Sequence, residues 1–301
     1  MTKKTPAVVA LGMFDGVHTG HRALMERLLL EAERLHAAPI VYTFSNHPLE
    51  VLGGSVRMLT PIAERNSLLL SLGAERVECV PFTLEFAGLS TDCFVDLLFE
   101  EWDVRALVVG YNYTCGDRGA GTPMTLKQIG DQRSFAVCVV DPVICEGEPV
   151  SSTRIRDAIE RGDVSLARRL LRRPYTLSGV VAPNKRLGHE IRFPTANIPP
   201  DPRRAIPAEG VYATFASING KQMRSVTNIG ANPTVNGDKR LIETYILDFN
   251  EELYGQSLTV SFQKRLREER AFPSLDALKE QIGLDARQAA ALPDDDPDDV
   301  C

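Results

Sequence analysis

The 301-residue sequence lacks the features that mark membrane, secreted and nucleic-acid-binding proteins. No apolar run approaches the roughly 20 residues of a membrane-spanning helix. The short apolar run near the N-terminus enters a turn after Leu11, too early for a secretory signal peptide. The net charge is −6, so no basic surface for nucleic acid or anionic membranes is indicated. We therefore expect a cytoplasmic protein that binds neither nucleic acid nor membranes, and the sequence leaves its oligomeric state open.

The cysteines also lack a pattern, because no C-x-x-C pair occurs among them. The six positions are Cys79, Cys93, Cys115, Cys138, Cys145 and Cys301. Several lie in apolar runs such as "FAVCVV", which favours buried, reduced thiols over disulfides or a metal site.

Two patterns of secondary structure divide the chain. In residues 1–173, short apolar runs such as "AVVAL" and "PIVYTF" alternate with helical periods, which predicts a parallel sheet covered by helices. In residues 174–285, short strands with an Asn219-Gly220 turn predict a small antiparallel β-barrel, followed by a terminal helix capped at Ser274. Residues 286–301 end in an aspartate-rich stretch and are expected to form a disordered tail.

The stretch "GMFDGVHTGH" joins a predicted strand to a predicted helix. A helix N-terminus presents unpaired N–H groups that bind phosphate, and Gly16 and Gly20 permit close approach of the backbone. His18 and His21 are placed to donate hydrogen bonds to phosphoryl oxygens. The alternatives are two ordinary capping histidines, which do not explain the glycines, and a metal site, for which no partner ligand has suitable spacing.

The stretch "VSSTRIRDAI" places Ser151, Ser152 and Thr153 just before a second helix. Arg154 and Arg156 are expected in its first turn, where a cation opposes the helix dipole unless an anion is bound. A second phosphate-binding segment is therefore predicted, although this segment alone is also compatible with a capped surface helix.

Together these two motifs closely resemble the FMN adenylyltransferase module of bifunctional riboflavin kinase/FAD synthetases. The resemblance continues through "VYTFSNHPLEVL", "VVGYNYTCGDRGAGTP" and "RGDVSLARRLLRRPY", nearly all of residues 7–175. It implies a Rossmann-like nucleotidyltransferase fold in which His18 and His21 stabilise the α-phosphate of ATP and Arg156 holds its outer phosphates. It further implies nucleotide binding by Gly12, Phe14, Asp15, Gly16, Gly20, Ser151, Ser152, Thr153 and Arg154.

The same resemblance suggests the flavin contacts. Asn46, His47 and Pro48 stand where the family usually has P-H-P, and Asn112 stands where an aspartate is commoner. These four residues are expected to bind flavin, with FMN as substrate and FAD as product.

In the second half, "RFPTANIP" and "LIETYILDF" offer hard oxygen ligands and a carboxylate. Thr195 and Asn197 suit Mg²⁺ beside a phosphate, although a polar strand edge is an equally good interpretation. Glu243 shares a strand face with Tyr245, opposite Thr244 and Ile246, and is either a general base or an exposed strand residue.

The order of these segments resembles the riboflavin kinase module of the same family over about residues 175–282. The resemblance implies that Thr195 and Asn197 bind Mg-ATP and that Glu243 is the base for the 5′-hydroxyl of riboflavin. The family's glycine-rich phosphate flap is replaced by "APNKRLGHEIR", in which Lys185, Arg186 and Arg192 supply charge and Gly188 is the one glycine. The expected partners are ATP, riboflavin and FMN. The alternative is an FAD synthetase whose degenerate barrel only binds flavin or regulates.

Overall fold

The computed structural model describes residues 4–183, 195–232, 239–249 and 251–293. The chain divides into two compact units, residues 1–152 and 153–301. This division falls earlier than the boundary predicted near residue 173, since two helices that precede that boundary group with the second unit. The predicted phosphate flap lies mostly outside the described residues, as do Cys301 and the aspartates of the tail.

The first unit is built on a parallel five-stranded sheet in the order β3-β2-β1-β4-β5. Its strands are β1 (Pro6–Leu11), β2 (Ala38–Phe44), β3 (Arg76–Val80), β4 (Asp103–Gly110) and β5 (Ala136–Val140). The chain runs outward from β1 to β3 and then crosses to β4, so the direction of winding reverses between β1 and β4. In parallel sheets, ligands bind at the carboxyl ends of the strands beside this point. A ribbon of β6 (Ile144–Cys145) and β7 (Glu148–Pro149) follows.

Helices cover both faces of this sheet because the central strands are apolar on both sides. They are α1 (Thr19–Leu35), α2 (Pro48–Val51), α3 (Ile62–Ser71), α4 (Leu84–Ala87), α5 (Thr91–Glu101) and α6 (Pro123–Arg133), with a 3₁₀ turn at Asp117–Gly119. One core packs α5 and α6 against the sheet, and the other packs α1 and α3 against the opposite face. The predicted parallel sheet with covering helices is confirmed.

The second unit contains a six-stranded antiparallel sheet in the order β8-β13-β10-β11-β12-β9. Its strands are β8 (Tyr175–Val180), β9 (Thr195–Ile198), β10 (Gly210–Ile218), β11 (Lys221–Asn232), β12 (Lys239–Ile246) and β13 (Ser257–Arg267). Its helices are α7 (Ser152–Glu160), which begins at the last residue of the first unit, α8 (Val164–Leu171) and α9 (Leu275–Ala291). The sheet curls into a half-barrel, and a backbone bridge between Ala182 and Asn197 links its two edges.

One face of the curled sheet carries a chain of buried hydroxyl groups. Thr214 contacts Ser225 at 2.8 Å and Thr227 at 2.8 Å, and Thr227 contacts Thr244 at 3.0 Å. All four residues are at most 3% exposed. A shift by one residue would leave these hydroxyls unsatisfied, so the chain fixes the register of β10, β11 and β12.

Two further predictions concern the hairpin at Asn219-Gly220 and the helix near the C-terminus. The Asn219-Gly220 hairpin is confirmed, since both residues have positive φ and Ile218 pairs with Lys221. Ser274 caps α9 as expected by accepting a hydrogen bond from the Ala277 N–H, but the helix runs to Ala291. Residues 286–291 are therefore helical and not part of a tail, because their alanine-rich sequence sustains the helix.

The cysteine expectation is wrong in part. Cys79, Cys93, Cys115 and Cys138 are free thiols, yet none is fully buried and Cys93 is exposed. Cys145 is disulfide-bonded. In the described part of the chain, every helix is too short or too polar to cross a membrane.

Candidate active sites

The histidine motif forms the loop that connects β1 to α1. Gly16 adopts a φ of 87°, a conformation that favours glycine, and the turn delivers His18 to the N-cap position of α1. Gly20 lies against the His18 ring, where an added Cβ would stand 3.1 Å from its nearest ring atom. The turn therefore favours glycine at position 16, and the His18 ring leaves little room for a side chain at position 20. The expected close approach of this backbone to a ligand stays a prediction.

The two histidines are stacked on each other. Their ring centroids lie 3.6 Å apart at an angle of 17°, and the His21 ring also contacts the Phe14 ring at 5.2 Å. His18 Nδ1 accepts a hydrogen bond from the His21 backbone N–H at 3.3 Å. A neutral His18 ring therefore carries its proton on Nε2, as a donor. His18 is 6% exposed, so its ring is enclosed at the start of α1.

Phe14 and Asp15 are enclosed by protein. Phe14 is 0% exposed in the core, and Asp15 is 1% exposed. The Asp15 carboxylate accepts hydrogen bonds from the backbone N–H groups of Leu59, at 2.9 Å, and Thr60, at 3.2 Å. These two side chains therefore help to position the histidine loop, and the expected contact of the two residues with the nucleotide stays a prediction.

Arg65 is a supporting residue that the sequence analysis missed. This guanidinium is 0% exposed and donates to the backbone carbonyls of Met13 at 3.0 Å and Phe44 at 2.9 Å, and to Cys79 Sγ at 3.3 Å. Burial lowers its pKa below the ordinary arginine value, and the neighbouring Cys79 opposes that shift. Arg65 thus ties together the carboxyl ends of β1, β2 and β3. A lone arginine in an amphipathic helix gives no sequence signal for this role.

The second phosphate-binding segment differs slightly from its prediction. Helix α7 begins at Ser152, so Ser152 and Thr153 lie inside its first turn and Arg156 lies in its second. The Ser152 hydroxyl donates to the Asp15 backbone carbonyl at 2.8 Å, which fixes the end of the first unit to the histidine loop. Ser151 precedes the helix, as expected. Arg154 and Arg156 are both half-buried residues of the second unit.

The expected flavin-binding residues follow β2 and β4. The Asn46 amide forms two hydrogen bonds with the Phe82 backbone, at 2.9 and 2.8 Å, and so braces the ends of β2 and β3. His47 caps α2 through a hydrogen bond from the Leu49 N–H to its Nδ1, and Pro48 starts that helix. Asn112 is exposed after β4. All four residues follow the carboxyl ends of β2 and β4, but the polar atoms of Asn46 are engaged within the protein.

The loop after β4 is itself well packed. Cys115 and Gly121 exchange backbone hydrogen bonds at 2.9 and 2.8 Å. Burial raises the pKa of the Cys115 thiol to about 11 and raises that of the Tyr113 hydroxyl well above its ordinary value. Both groups are neutral at physiological pH, so neither supplies charge to the edge of the sheet.

In the second unit, three residues of the predicted kinase site lie together. Asn197 on the edge strand β9 is directly opposite Glu243 on β12, and Thr195 is opposite Tyr245. Paired residues in an antiparallel sheet point to the same face, so Thr195, Asn197 and Glu243 share one face. Thr244 is 0% exposed and Ile246 is 3% exposed on the other face, as the alternation predicts.

The Asn197 amide oxygen is a buried acceptor on this face. Asn197 is 6% exposed, and its Oδ1 has no hydrogen-bond partner among the described residues. A buried acceptor without a partner costs about 1–3 kcal/mol unless a ligand satisfies it. A hard cation is a suitable ligand for this oxygen and the neighbouring Thr195 hydroxyl.

Comparisons with known proteins agree with this division into two sites. A model of FAD synthetases matches residues 1–154, and a model of riboflavin kinases matches residues 171–292. Similar curated proteins include the bifunctional riboflavin kinase/FMN adenylyltransferases of Bacillus subtilis and Escherichia coli. The B. subtilis protein is 35% identical to this chain, and the alignment covers 95% of this chain and 92% of the relative. The E. coli protein is 36% identical, and the alignment covers 92% of this chain and 90% of the relative.

A solved structure from Streptococcus pneumoniae, described as a macrolide-efflux protein, has the same fold. It is 31% identical to this chain with a TM-score of 0.90, and the match covers 96% of this chain and 95% of the other.

Proposed function

The chain belongs to the bifunctional riboflavin kinase/FMN adenylyltransferase family, and from this premise we propose which of its residues carry each reaction. The enzyme phosphorylates riboflavin to FMN with ATP and transfers AMP from a second ATP to FMN, giving FAD and pyrophosphate. The kinase half matches its own family model, so we do not retain the alternative of a barrel that only binds flavin. Efflux, the description of the S. pneumoniae protein, is not carried over to this chain.

For the adenylyl transfer, we assign the α-phosphate to the start of α1. A phosphate oxygen of FMN forms a bond to the α-phosphorus of ATP, and the bond from that phosphorus to the pyrophosphate oxygen breaks. No covalent enzyme intermediate is needed, so positioning and charge stabilisation account for catalysis. His18 Nε2 and the His21 ring donate to the α-phosphate oxygens, and the α1 N–H groups add their positive dipole end.

The remaining assignments for this reaction rest on the resemblance. Arg156, with Arg154, is proposed to hold the β- and γ-phosphates, and Gly12, Gly16, Gly20, Ser151, Ser152 and Thr153 to line the nucleotide path. His47, Pro48 and Asn112 are proposed to contact the flavin, while Asn46 acts by bracing the strand ends.

For the kinase reaction, Glu243 is proposed as the general base. Its carboxylate takes the proton of the riboflavin 5′-hydroxyl as that oxygen bonds to the γ-phosphorus, and the bond to the bridging oxygen of ADP breaks. Thr195 and Asn197 would hold Mg²⁺ with the ATP phosphates, and the ion would neutralise charge on the transferred group. The observation that carries this assignment is that Asn197, whose Oδ1 has no partner among the described residues, pairs directly with Glu243. Because both reactions consume ATP, we also propose a cytoplasmic location.

The test is to incubate the protein with riboflavin, ATP and Mg²⁺ and to separate the flavins by chromatography. We expect FMN to appear first and FAD to follow, and we expect FMN supplied alone with ATP to be converted to FAD. If FMN is adenylylated but riboflavin is never phosphorylated, the residue assignment in the second unit fails and that in the first unit stands.

A further inference from the structure

A third polar residue lies beside Glu243 on the face that carries the proposed kinase site. Asn228 on β11 is directly opposite Glu243, on the side away from Asn197. The row across the sheet is therefore Asn197, Glu243, Asn228, with all three side chains on one face. Asn228 carries no signal of its own in the sequence, since the register between β11 and β12 cannot be read from the sequence.

The Asn228 amide oxygen is also without a partner in the described part of the chain. Its Oδ1 is buried although the residue as a whole is only half-buried. The neighbouring residues of β11, Thr227 and Ile229, are 0% exposed and point to the opposite face. A buried acceptor beside a carboxylate, with no donor among the described residues, indicates that a donor arrives with the substrate.

The two amide oxygens cannot serve the same ion. Neighbouring strands lie about 4.8 Å apart, so the backbones of Asn197 and Asn228 are separated by about 10 Å. Ligands of one Mg²⁺ lie about 2.1 Å from the ion, which leaves Asn228 out of the set that contains Asn197. Asn228 therefore faces a different part of the reacting complex.

The geometry of phosphoryl transfer identifies that part. The attacking and leaving oxygens lie on opposite sides of the phosphorus. If the nucleotide phosphates lie at Asn197, on one side of the base Glu243, the acceptor alcohol approaches from the other side. That side is occupied by Asn228.

We infer that Asn228 is a positioning and specificity residue for the acceptor: its Oδ1 accepts a hydrogen bond from a hydroxyl of the riboflavin side chain. This inference rests on the proposed kinase function. The bond holds the polyhydroxyl chain so that its terminal hydroxyl reaches Glu243. The same hydrogen bond lets the kinase site distinguish a flavin that carries a hydroxylated chain from a flavin that lacks one.

The test compares riboflavin with lumiflavin, which has a methyl group in place of the hydroxylated chain. In Asn228→Ala, we expect the KM for riboflavin in the kinase reaction to rise about tenfold, the effect of one hydrogen bond to a buried group. The KM for ATP and the inhibition constant of lumiflavin against the kinase reaction should stay within about twofold of wild type. Gln222→Ala, an exposed amide on the same strand, is the matched control.

A second variant, Asn228→Asp, keeps the shape and the acceptor oxygen but places a negative charge beside Glu243. A like charge raises the pKa of a carboxylate, so the acid limb of the kcat–pH profile should move to higher pH by roughly one unit. The KM for ATP and the lumiflavin constant report on the folding of the second unit, which carries Asn228. FAD formation from FMN, which the first unit carries, should be unchanged in both variants.

Several results would overturn the inference. Equal increases in the riboflavin KM and in the lumiflavin inhibition constant would mean that Asn228 only shapes the pocket. An increase in the ATP KM alone would mean that Asn228 contacts the phosphate donor, ATP. An unchanged riboflavin KM would remove it from the site. If the wild-type protein makes no FMN, the kinase function fails and the inference fails with it, whereas failure in the variants alone leaves the kinase function intact.

Discussion

The two units place their phosphate-handling groups by different structural means. In the first unit, His18 and His21 stand at a loop-to-helix junction that is secured by buried polar residues: Asp15 binds the backbone of Leu59 and Thr60, and Arg65 binds the ends of β1 and β2. In the second unit, Glu243 and Asn197 project from strands, and register alone sets them opposite each other.

This difference has an energetic consequence. Loop geometry depends on individual anchors, and each buried anchor that loses its partner costs about 1–3 kcal/mol. The position of a residue on a strand is held by a ladder of many backbone hydrogen bonds and, in this sheet, also by the buried hydroxyl chain. We therefore expect the first site to be sensitive to residues that never touch substrate, and the second to be sensitive mainly to its own reactive groups.

The largest effect is expected for Glu243→Gln. The glutamine keeps the size of the side chain and removes proton acceptance, so riboflavin phosphorylation should fall roughly 10²–10⁴-fold. FMN production with saturating Mg-ATP measures this loss. Glu251→Gln, an exposed residue of the same unit, should behave as wild type. Retained kinase activity in Glu243→Gln would rule out Glu243 as the base.

His21→Ala should reduce FAD formation from FMN by roughly 10²–10³-fold, because one donor to the transition state is lost. Riboflavin phosphorylation by the same sample should be nearly unchanged. His36→Asn, at the other end of α1, is the control; its φ is 49°, a conformation that asparagine tolerates. An adenylyltransferase that is unimpaired by His21→Ala would contradict the assigned phosphate site.

Gly20→Ala separates helix stability from site geometry. Alanine favours the helix, but its Cβ would lie 3.1 Å from the His18 ring and force that ring to shift. We expect FAD formation to fall roughly tenfold while the thermal midpoint stays the same or rises. Unchanged FAD formation would show that the packing of the His18 ring does not set the rate.

Asp15→Asn tests the idea that loop anchors matter. The amide oxygen can replace Oδ1, but the NH2 group in place of Oδ2 turns a donor toward the Leu59 N–H, which lies 3.1 Å away and needs an acceptor. The first unit should therefore lose about 1–3 kcal/mol of stability. Urea unfolding measures the loss, and kinase activity should persist. Asp131→Asn, which is exposed in α6, is the matched control. Wild-type stability in Asp15→Asn would show that the anchor is dispensable.

The smallest effect concerns Cys115, where partial burial raises the pKa of the thiol to about 11. A raised pKa lowers the thiolate fraction, so at pH 8.5 the thiol should react far more slowly with iodoacetamide than the exposed Cys93. Mass spectrometry of labelled peptides gives the two rates. Equal rates would show that the loop after β4 opens readily.

The positions of residues that depend on local sequence pattern could be predicted from the sequence. The strand–glycine–helix order placed His18 and His21 correctly, and the alternation in "LIETYILDF" put Glu243 opposite the buried face of β12. The roles of residues that act through tertiary contacts could not be predicted in this way. The anchoring by Asp15 and Arg65 joins segments more than 40 positions apart, and the pairing of Asn228 with Glu243 depends on which strands become neighbours.

The bridge between Ala182 and Asn197 has a practical consequence for engineering. The Ala182 N–H donates to the Asn197 carbonyl at 2.9 Å, so the residues on either side of the segment 184–194 are joined at its base. Proline lacks a backbone N–H, so a proline at position 182 would remove this hydrogen bond between the two edges of the sheet. Engineering of this half of the chain therefore has to exclude proline at position 182 if Asn197 is to keep its place beside Glu243.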